Sequence, residues 1–253
     1  YPVQDSEKWF EIPVVATNIC DYDRSFGVEV DDKASNAIEK KQYVVESNTV
    51  TIKAGERVAK FRMKGVYENI GKTDSLSVTF NLLAKDENIW DLYGTRTRVQ
   101  MQKACPFELS TFEGYCLLTS SFFSAYMTNT EHRLLQAERD KAEDNTIILH
   151  DFFYKNYDLK IKYDPSDPLK PFVEFDEQII GSTAEAFGTI YGNGKLMCDQ
   201  PVAYDSYYNV CQKFVILYTT IYVVGKGTVG TYVNILEWIS DEEAEQYKKE
   251  EGL

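Results

Sequence analysis

Few side chains in this chain are of a type that performs chemistry, so their spacing can be tested one class at a time. There are two histidines, His132 and His150. A nucleophilic site would set one of them against a Ser, Thr or Cys in space. Neither lies in a Gly-x-Ser-x-Gly elbow or a His-Glu-x-x-His helix, so both read as structural histidines. Asp and Glu number 40, and some pair among so many must meet the ~5 to 10 Å separation used in glycoside hydrolysis. Chance therefore explains any such pair, and no catalytic residue is assigned.

Carboxylates cluster at Asp21 and Asp23, at Asp31 and Asp32, and at Asp86, Glu87 and Asp91. Hard oxygen ligands of this kind suit calcium. The spaced Asp-x-Asp-x-Asp-Gly loop is missing, so turn carboxylates in water are the plainer reading, and no cofactor is expected. Five cysteines, Cys20, Cys105, Cys116, Cys198 and Cys211, include no Cys-x-x-Cys pair, which removes the usual zinc and thioredoxin-like arrangements. Cys198 and Cys211 flank a loop and could bridge a hairpin, with buried free thiols as the equal alternative.

Aromatic loops are the better lead. Tyr204-Asp-Ser-Tyr207-Tyr208-Asn209 sits between two expected strands with few apolar residues to bury it, and Trp90-Asp-Leu-Tyr93 occupies a similar place in the first half. Rings interleaved with Asp and Asn can stack on a sugar or a protein surface while the polar neighbours take hydroxyls. Tyr204, Tyr207, Tyr208, Asn209, Trp90 and Tyr93 are the candidate binding residues; the competing reading folds these rings back over their own core. Phe152-Phe153-Tyr154 continues the apolar Ile147-Ile148-Leu149 and reads as core. Gly192-Asn193-Gly194 has no Lys-Ser/Thr after it and reads as a hairpin turn.

The elements that must position these residues read as strands. Tyr (18), Phe (14) and Trp (3) are abundant, and such residues favour a pleated, half-buried surface. In the first hundred residues the candidates are 12–16, 25–30, 42–46, 49–52, 57–63, 75–83 and 96–101. Alternation is cleanest in Phe26-Gly-Val28-Glu-Val30 and Leu76-Ser-Val78-Thr-Phe80. Ala104-Cys105-Pro106 interrupts the pattern. Ten further strands follow at 112–119, 122–128, 131–139, 146–153, 157–163, 172–175, 178–180, 186–191, 213–224 and 230–238. Residues 134–143 could instead be helical, and 241–250 reads as a short frayed helix or disorder.

The expected fold is all-β: an immunoglobulin-like β-sandwich over 1–103, an antiparallel meander closing as a lipocalin-like β-barrel over 107–240, and a charged tail over 241–253. So long a meander tends to close, because an open sheet leaves two pairing edges. The net charge of −13 repels phosphate backbones and anionic headgroups, so nucleic acid is not an expected partner. No apolar stretch approaches the roughly 20 residues of a membrane helix.

Ile12-Pro-Val, Asp23-Arg-Ser-Phe-Gly-Val-Glu-Val-Asp31, Tyr43-Val-Val-Glu-Ser and Val50-Thr-Ile-Lys-Ala-Gly-Glu56 together resemble the N-terminal Calx-beta-like or fibronectin-like domain of Bacteroidales cell-envelope lipoproteins. Phe112-Glu-Gly-Tyr115, Ile161-Lys-Tyr-Asp-Pro-Ser166 and Leu236-Glu-Trp238 look like the C-terminal β domain that accompanies it. The resemblance implies a lipid anchor upstream of Tyr1, as the one tie to a membrane, and an outer-membrane address facing the periplasm or the outside. It supplies no catalytic residue. The expected function is non-enzymatic recognition of a glycan or an envelope protein. The alternatives are a structural or assembly subunit, then a hydrolase.

Overall fold

The computed structural model describes residues 1–85, 93–127, 129–168 and 170–251. The chain divides into two compact units, Tyr1–Cys105 and Pro106–Leu253. In the first, β1 (Pro2–Val3), β3 (Arg24–Val30), β5 (Thr49–Ile52), β7 (Leu76–Leu83) and β8 (Arg96–Lys103) form a sheet in the order β1-β8-β7-β3-β5. The second sheet is β2 (Phe10–Val15), β6 (Val58–Gly65) and β4 (Tyr43–Val45), with β6 central. Both sheets contribute to one core. Val78, Phe80, Val99 and Met101 come from the first, and Ile12, Tyr43, Phe61 and Met63 from the second. This is the buried inner surface that alternation in these strands demands.

The second unit contains β9 (Gly114–Ser120), β10 (His132–Arg139), β11 (Thr146–Leu149), β12 (Leu159–Tyr163), β13 (Phe172–Glu174), β14 (Gln178–Ser182), β15 (Lys195–Asp199), β16 (Ser206–Asn209), β17 (Phe214–Val223) and β18 (Gly227–Trp238). Eight of them close a ring in the order β9-β10-β11-β12-β13-β16-β17-β18, with β18 returning to β9. The meander is broken once: β14 and β15 leave the ring and pair onto the far end of β17. The barrel is filled, unlike a ligand-holding lipocalin. Phe112, Phe122, Phe152 and Phe153 are fully buried, and Phe122 stacks on Phe153 with centroids 4.6 Å apart.

Closure rests on a polar knot as well as on apolar packing. Asn234, fully buried on β18, accepts from Ser120 Oγ of β9 at 2.6 Å and donates to Leu217 O of β17 at 2.9 Å. It also donates to Thr219 Oγ1 at 3.1 Å. One amide thus ties the three strands where the ring shuts.

Two predicted strands do not form, and a short helix overlaps each. α1 (Ser121–Tyr126) overlaps 122–128, and Ser120 caps it by accepting the Phe122 N–H at 3.1 Å. α2 (Thr183–Phe187) overlaps 186–191. Ser182 and Glu185 form a reciprocal capping box there, and Gly188 ends the helix at φ 71°. Residues 134–139 are strand, not helix, and β15 and β16 were not expected as strands. The tail is α3 (Asp241–Glu251), an ordered helix docked on the outer wall. Ala244 is fully buried, Tyr247 donates to His132 O at 3.4 Å, and the Lys248 ammonium lies 4.3 Å from the Tyr115 ring centre.

Candidate ligand-binding surface

β17 is apolar on both faces. Val215, Leu217, Ile221 and Val223 enter the barrel, while Phe214, Ile216, Tyr218 and Tyr222 point outward. Register extends that outer face across four strands: Phe172 stands opposite Tyr207, Tyr207 opposite Ile216, and Ile216 opposite Ile235. Tyr218 stands opposite Val233 in the next row. The loop entering β16 then lays Tyr204 nearly parallel on Tyr218, with ring centres 5.1 Å apart and planes at 20°. Tyr207 meets Phe214 edge-on at 6.3 Å.

Two small polar groups hold this arrangement in place. Ser206 is buried, and its hydroxyl accepts the Tyr218 N–H at 3.0 Å, which pins the start of β16 against β17. Asn209 Oδ1 accepts the Gln212 N–H at 3.0 Å and shapes the turn between the same two strands. Tyr204 remains 52% exposed and Tyr207 40% exposed, so each offers ring surface to solvent. Exposed Asp205 and Glu237 lie at the rim. Such a surface can stack on a sugar ring and accept hydroxyl hydrogen bonds.

Four of the six sequence candidates lie in the second unit. Tyr204 and Tyr207 come together; Tyr208 does not join them. Alternation along β16 turns Tyr208 inward, where it is 5% exposed and donates to Asp164 O at 3.2 Å. Phe107 and Tyr163 pack around its ring at 5.4 and 5.2 Å, and burial pushes its phenol up to about 12. The expectation that Tyr208 is a displayed ring is therefore corrected: it is barrel core. Asn209 supports the turn, Tyr93 is exposed in the first unit, and Trp90 lies outside the described residues. Tyr218, Ile216 and Phe172 were missed. Their signal is an outward face of β17 too apolar for a solvated wall.

Other candidate chemistry resolves into local structure. His150 Nδ1 is 3.0 Å from Asp158 Oδ2 and its Nε2 is 3.6 Å from Glu138 Oε2, so carboxylates take both ring nitrogens. His132 Nδ1 bonds Thr119 Oγ1 at 2.7 Å. Asp23 pairs with Lys53 at 2.7 Å, and that bond holds its carboxyl below the usual range. Asp31 pairs with Arg96 at 2.8 Å and accepts turn N–H groups. Asp86, Glu87 and Asp91 lie outside the described residues. Among the described residues no group of three or more His, Cys, Asp or Glu could hold a metal. Cys198 is a free buried thiol, so the hairpin bridge to Cys211 does not form.

Shallow clefts occur in the first unit. One of about 480 Å3 lies between β5 and β6, beside Glu46, Lys60 and Arg62; Arg62 already pairs with Glu11 and Glu46. Another of about 580 Å3 lies at Ile19, Cys20 and Tyr22. Neither gathers exposed rings beside hydrogen-bonding groups as the barrel wall does.

A family model described as Domain of unknown function (DUF4984) matches residues 92–250. No curated protein matches the sequence. Among solved structures, an auxiliary nutrient binding protein from Bacteroides thetaiotaomicron aligns over 90% of this chain and 82% of its own, at 10% identity and a TM-score of 0.29. A protein of unknown function from Bacteroides ovatus aligns over 90% and 82%, at 10% identity and a TM-score of 0.35. CBD12 from CALX1.2 aligns over 99% and 82%, at 11% identity and a TM-score of 0.37. Likeness at this level sets neither the fold nor the ligand of this chain.

Proposed function

This chain belongs to the DUF4984 family, and on that premise we propose that it is a non-enzymatic binding protein of the cell envelope that recognises a glycan on its barrel wall. The observation that carries the reading is the exposed Tyr204 ring laid parallel on half-buried Tyr218, beside exposed Tyr207 and the exposed carboxylates of Asp205 and Glu237. Pyranose rings present apolar C–H faces and a belt of hydroxyls, which match exposed phenol rings and acceptor oxygens respectively. The envelope address rests on the resemblance of the strand motifs to Bacteroidales lipoproteins.

Strand addition by a partner protein is less well supported. β14 ends the run of paired strands, but it is only five residues long and carries a bulge between Ile179 and Gly181. Short, bulged edges resist pairing with another chain.

The test is glycan-array binding by the full chain, repeated with Tyr204→Ala and Tyr207→Ala. Each substitution should weaken binding about five- to tenfold, the scale of one aromatic contact. No glycan bound by the unmodified chain, or binding untouched by both changes, would remove the proposal's support.

A further inference from the structure

The outer face of β17 does not end at Tyr218. Its alternate residues continue to Thr220 and Tyr222, so Phe214, Ile216, Tyr218, Thr220 and Tyr222 stand in one row. From Phe214 to Tyr222 the row spans about 27 Å. β15 and β16 lie end to end against this strand, with Tyr207 opposite Ile216 and Asp199 opposite Thr220. Residues 200–205 leave the sheet between them and return with Tyr204 on the Tyr218 ring. The Tyr204–Tyr218 pair therefore marks the middle of the row, not its end.

Beyond that midpoint the chemistry changes from rings to hydrogen-bonding groups. The Tyr222 hydroxyl donates to the Glu177 carboxylate, and Thr220 Oγ1 lies 3.0 Å from Thr231 Oγ1. Asp199 Oδ1 accepts the Gln200 N–H at 2.7 Å, which fixes its carboxylate beside Thr220. Glu177, Asp199 and Thr231 are exposed. The row is bounded at its sides and open along its length. On one side α3 covers β9, where Lys248 donates to the Tyr115 hydroxyl at 2.9 Å. On the other, Glu174 of β13 stands opposite Lys162 of β12.

Charge follows the same outline. β16, β17 and β18 carry one charged residue, Glu237. Glu177, Asp199 and Asp205 border them, and among the described residues none of these four carboxylates pairs with a Lys or Arg. The nearest lysines do not reverse this. Lys213, ahead of Phe214, is offset by Glu243 on α3, and Lys195 stands opposite Ser182, which Glu185 caps. Lys226 lies in the turn past Tyr222.

We infer that the glycan of the proposed site is a linear, uncharged chain laid lengthwise along β17, with one sugar stacked at Tyr204 and Tyr207 and a later one hydrogen-bonded at Tyr222, Asp199 and Thr220. This rests on the glycan reading above and adds the charge, extent and placement of the ligand. A single sugar covers only part of the row. Carboxylates along the strip repel uronic acids and sulfate esters, whereas neutral sugar hydroxyls donate to the same oxygens.

Affinity electrophoresis of the full chain, through gels containing xylan, mannan, starch, pectate or alginate, reads the charge of the ligand. A neutral polymer should slow the protein, and pectate and alginate should not. Calorimetric titration with oligosaccharides of the retarding polymer then reads its extent. The hexasaccharide should bind about tenfold more tightly than the disaccharide, equally at low and high salt. Tyr222→Ala should weaken the hexasaccharide about fivefold and the disaccharide less, whereas Tyr204→Ala should weaken both. If Tyr222→Ala lowers the melting midpoint, Tyr222→Phe and Asp199→Ala make the same comparison with the ring packing intact. Retardation by the anionic polymers, equal affinity for the two lengths, or a Tyr222 loss no larger for the longer chain overturns the inference. In those cases a loss at Tyr204→Ala leaves glycan recognition standing. No binding to any glycan overturns both.

Discussion

Tyr207 and Tyr208 are adjacent, chemically identical and physically opposite. Tyr207 stands on the outer wall with 40% of its surface in water, while Tyr208 is enclosed by Phe107, Phe112 and Tyr163. Removing a buried aromatic ring costs about 3 to 5 kcal/mol, whereas an exposed one costs within about 0.5 kcal/mol. Chemical denaturation should therefore show Tyr208→Ala strongly destabilised and Tyr207→Ala near the parent. Equal stabilities would mean that the side-chain alternation of β16 is wrong. The pair also shows what composition leaves open, since a Tyr-Tyr dipeptide cannot say which ring faces solvent. Only pairing with β13 and β17 sets the face, because a shift of one residue in register exchanges the two.

At the scale of elements, the barrel depends on the join between β18 and its neighbours. Asn234→Ala would leave the Ser120 hydroxyl and the Leu217 carbonyl without the amide that serves both. A stability loss of about 2 to 3 kcal/mol is expected, since buried polar groups left unpaired lose their full desolvation cost. Thermal melts check this, and a midpoint equal to the parent's would show that closure does not depend on the knot. Strands with clean alternation were legible, as in β3, β5, β7 and β12. The two short helices were misread because Phe, Tyr and Ala suit a strand as well as a helix in so few residues. In the second case the local signal of a helix start is present in Ser182-Thr-Ala-Glu185, whose Ser and Glu at the capping-box spacing mark α2. The docking of α3 was not legible, because its buried contact is one alanine in a charged run.

For the whole molecule, the filled interior has a consequence at high pH. Burial pushes the Cys198 thiol from 9.0 up to about 12 and the Tyr208 phenol from 10.0 up to about 12, and it raises Cys116 and Tyr163 well above their ordinary values. These groups are neutral when folded, so their contribution is complete below the ordinary value of 9.0 for the thiols and 10.0 for the phenols. It is lost as pH rises toward the raised values, because the unfolded chain releases the protons more readily. The melting midpoint should fall from about pH 9 upward, and Cys198→Ala combined with Tyr163→Phe should flatten part of that fall. A midpoint as steep in the double variant as in the parent would contradict this cause. The sequence by itself determined that the chain builds β structure with a closed sheet in its second half: alternation specifies two-faced strands, and a long run of them stabilises closure over open edges. Tertiary structure alone decided that the barrel is filled and that Tyr204 and Tyr218 share one wall while Tyr208 belongs to the core. Those facts depend on which strands pair and in what register, and pairing joins residues that no local pattern connects.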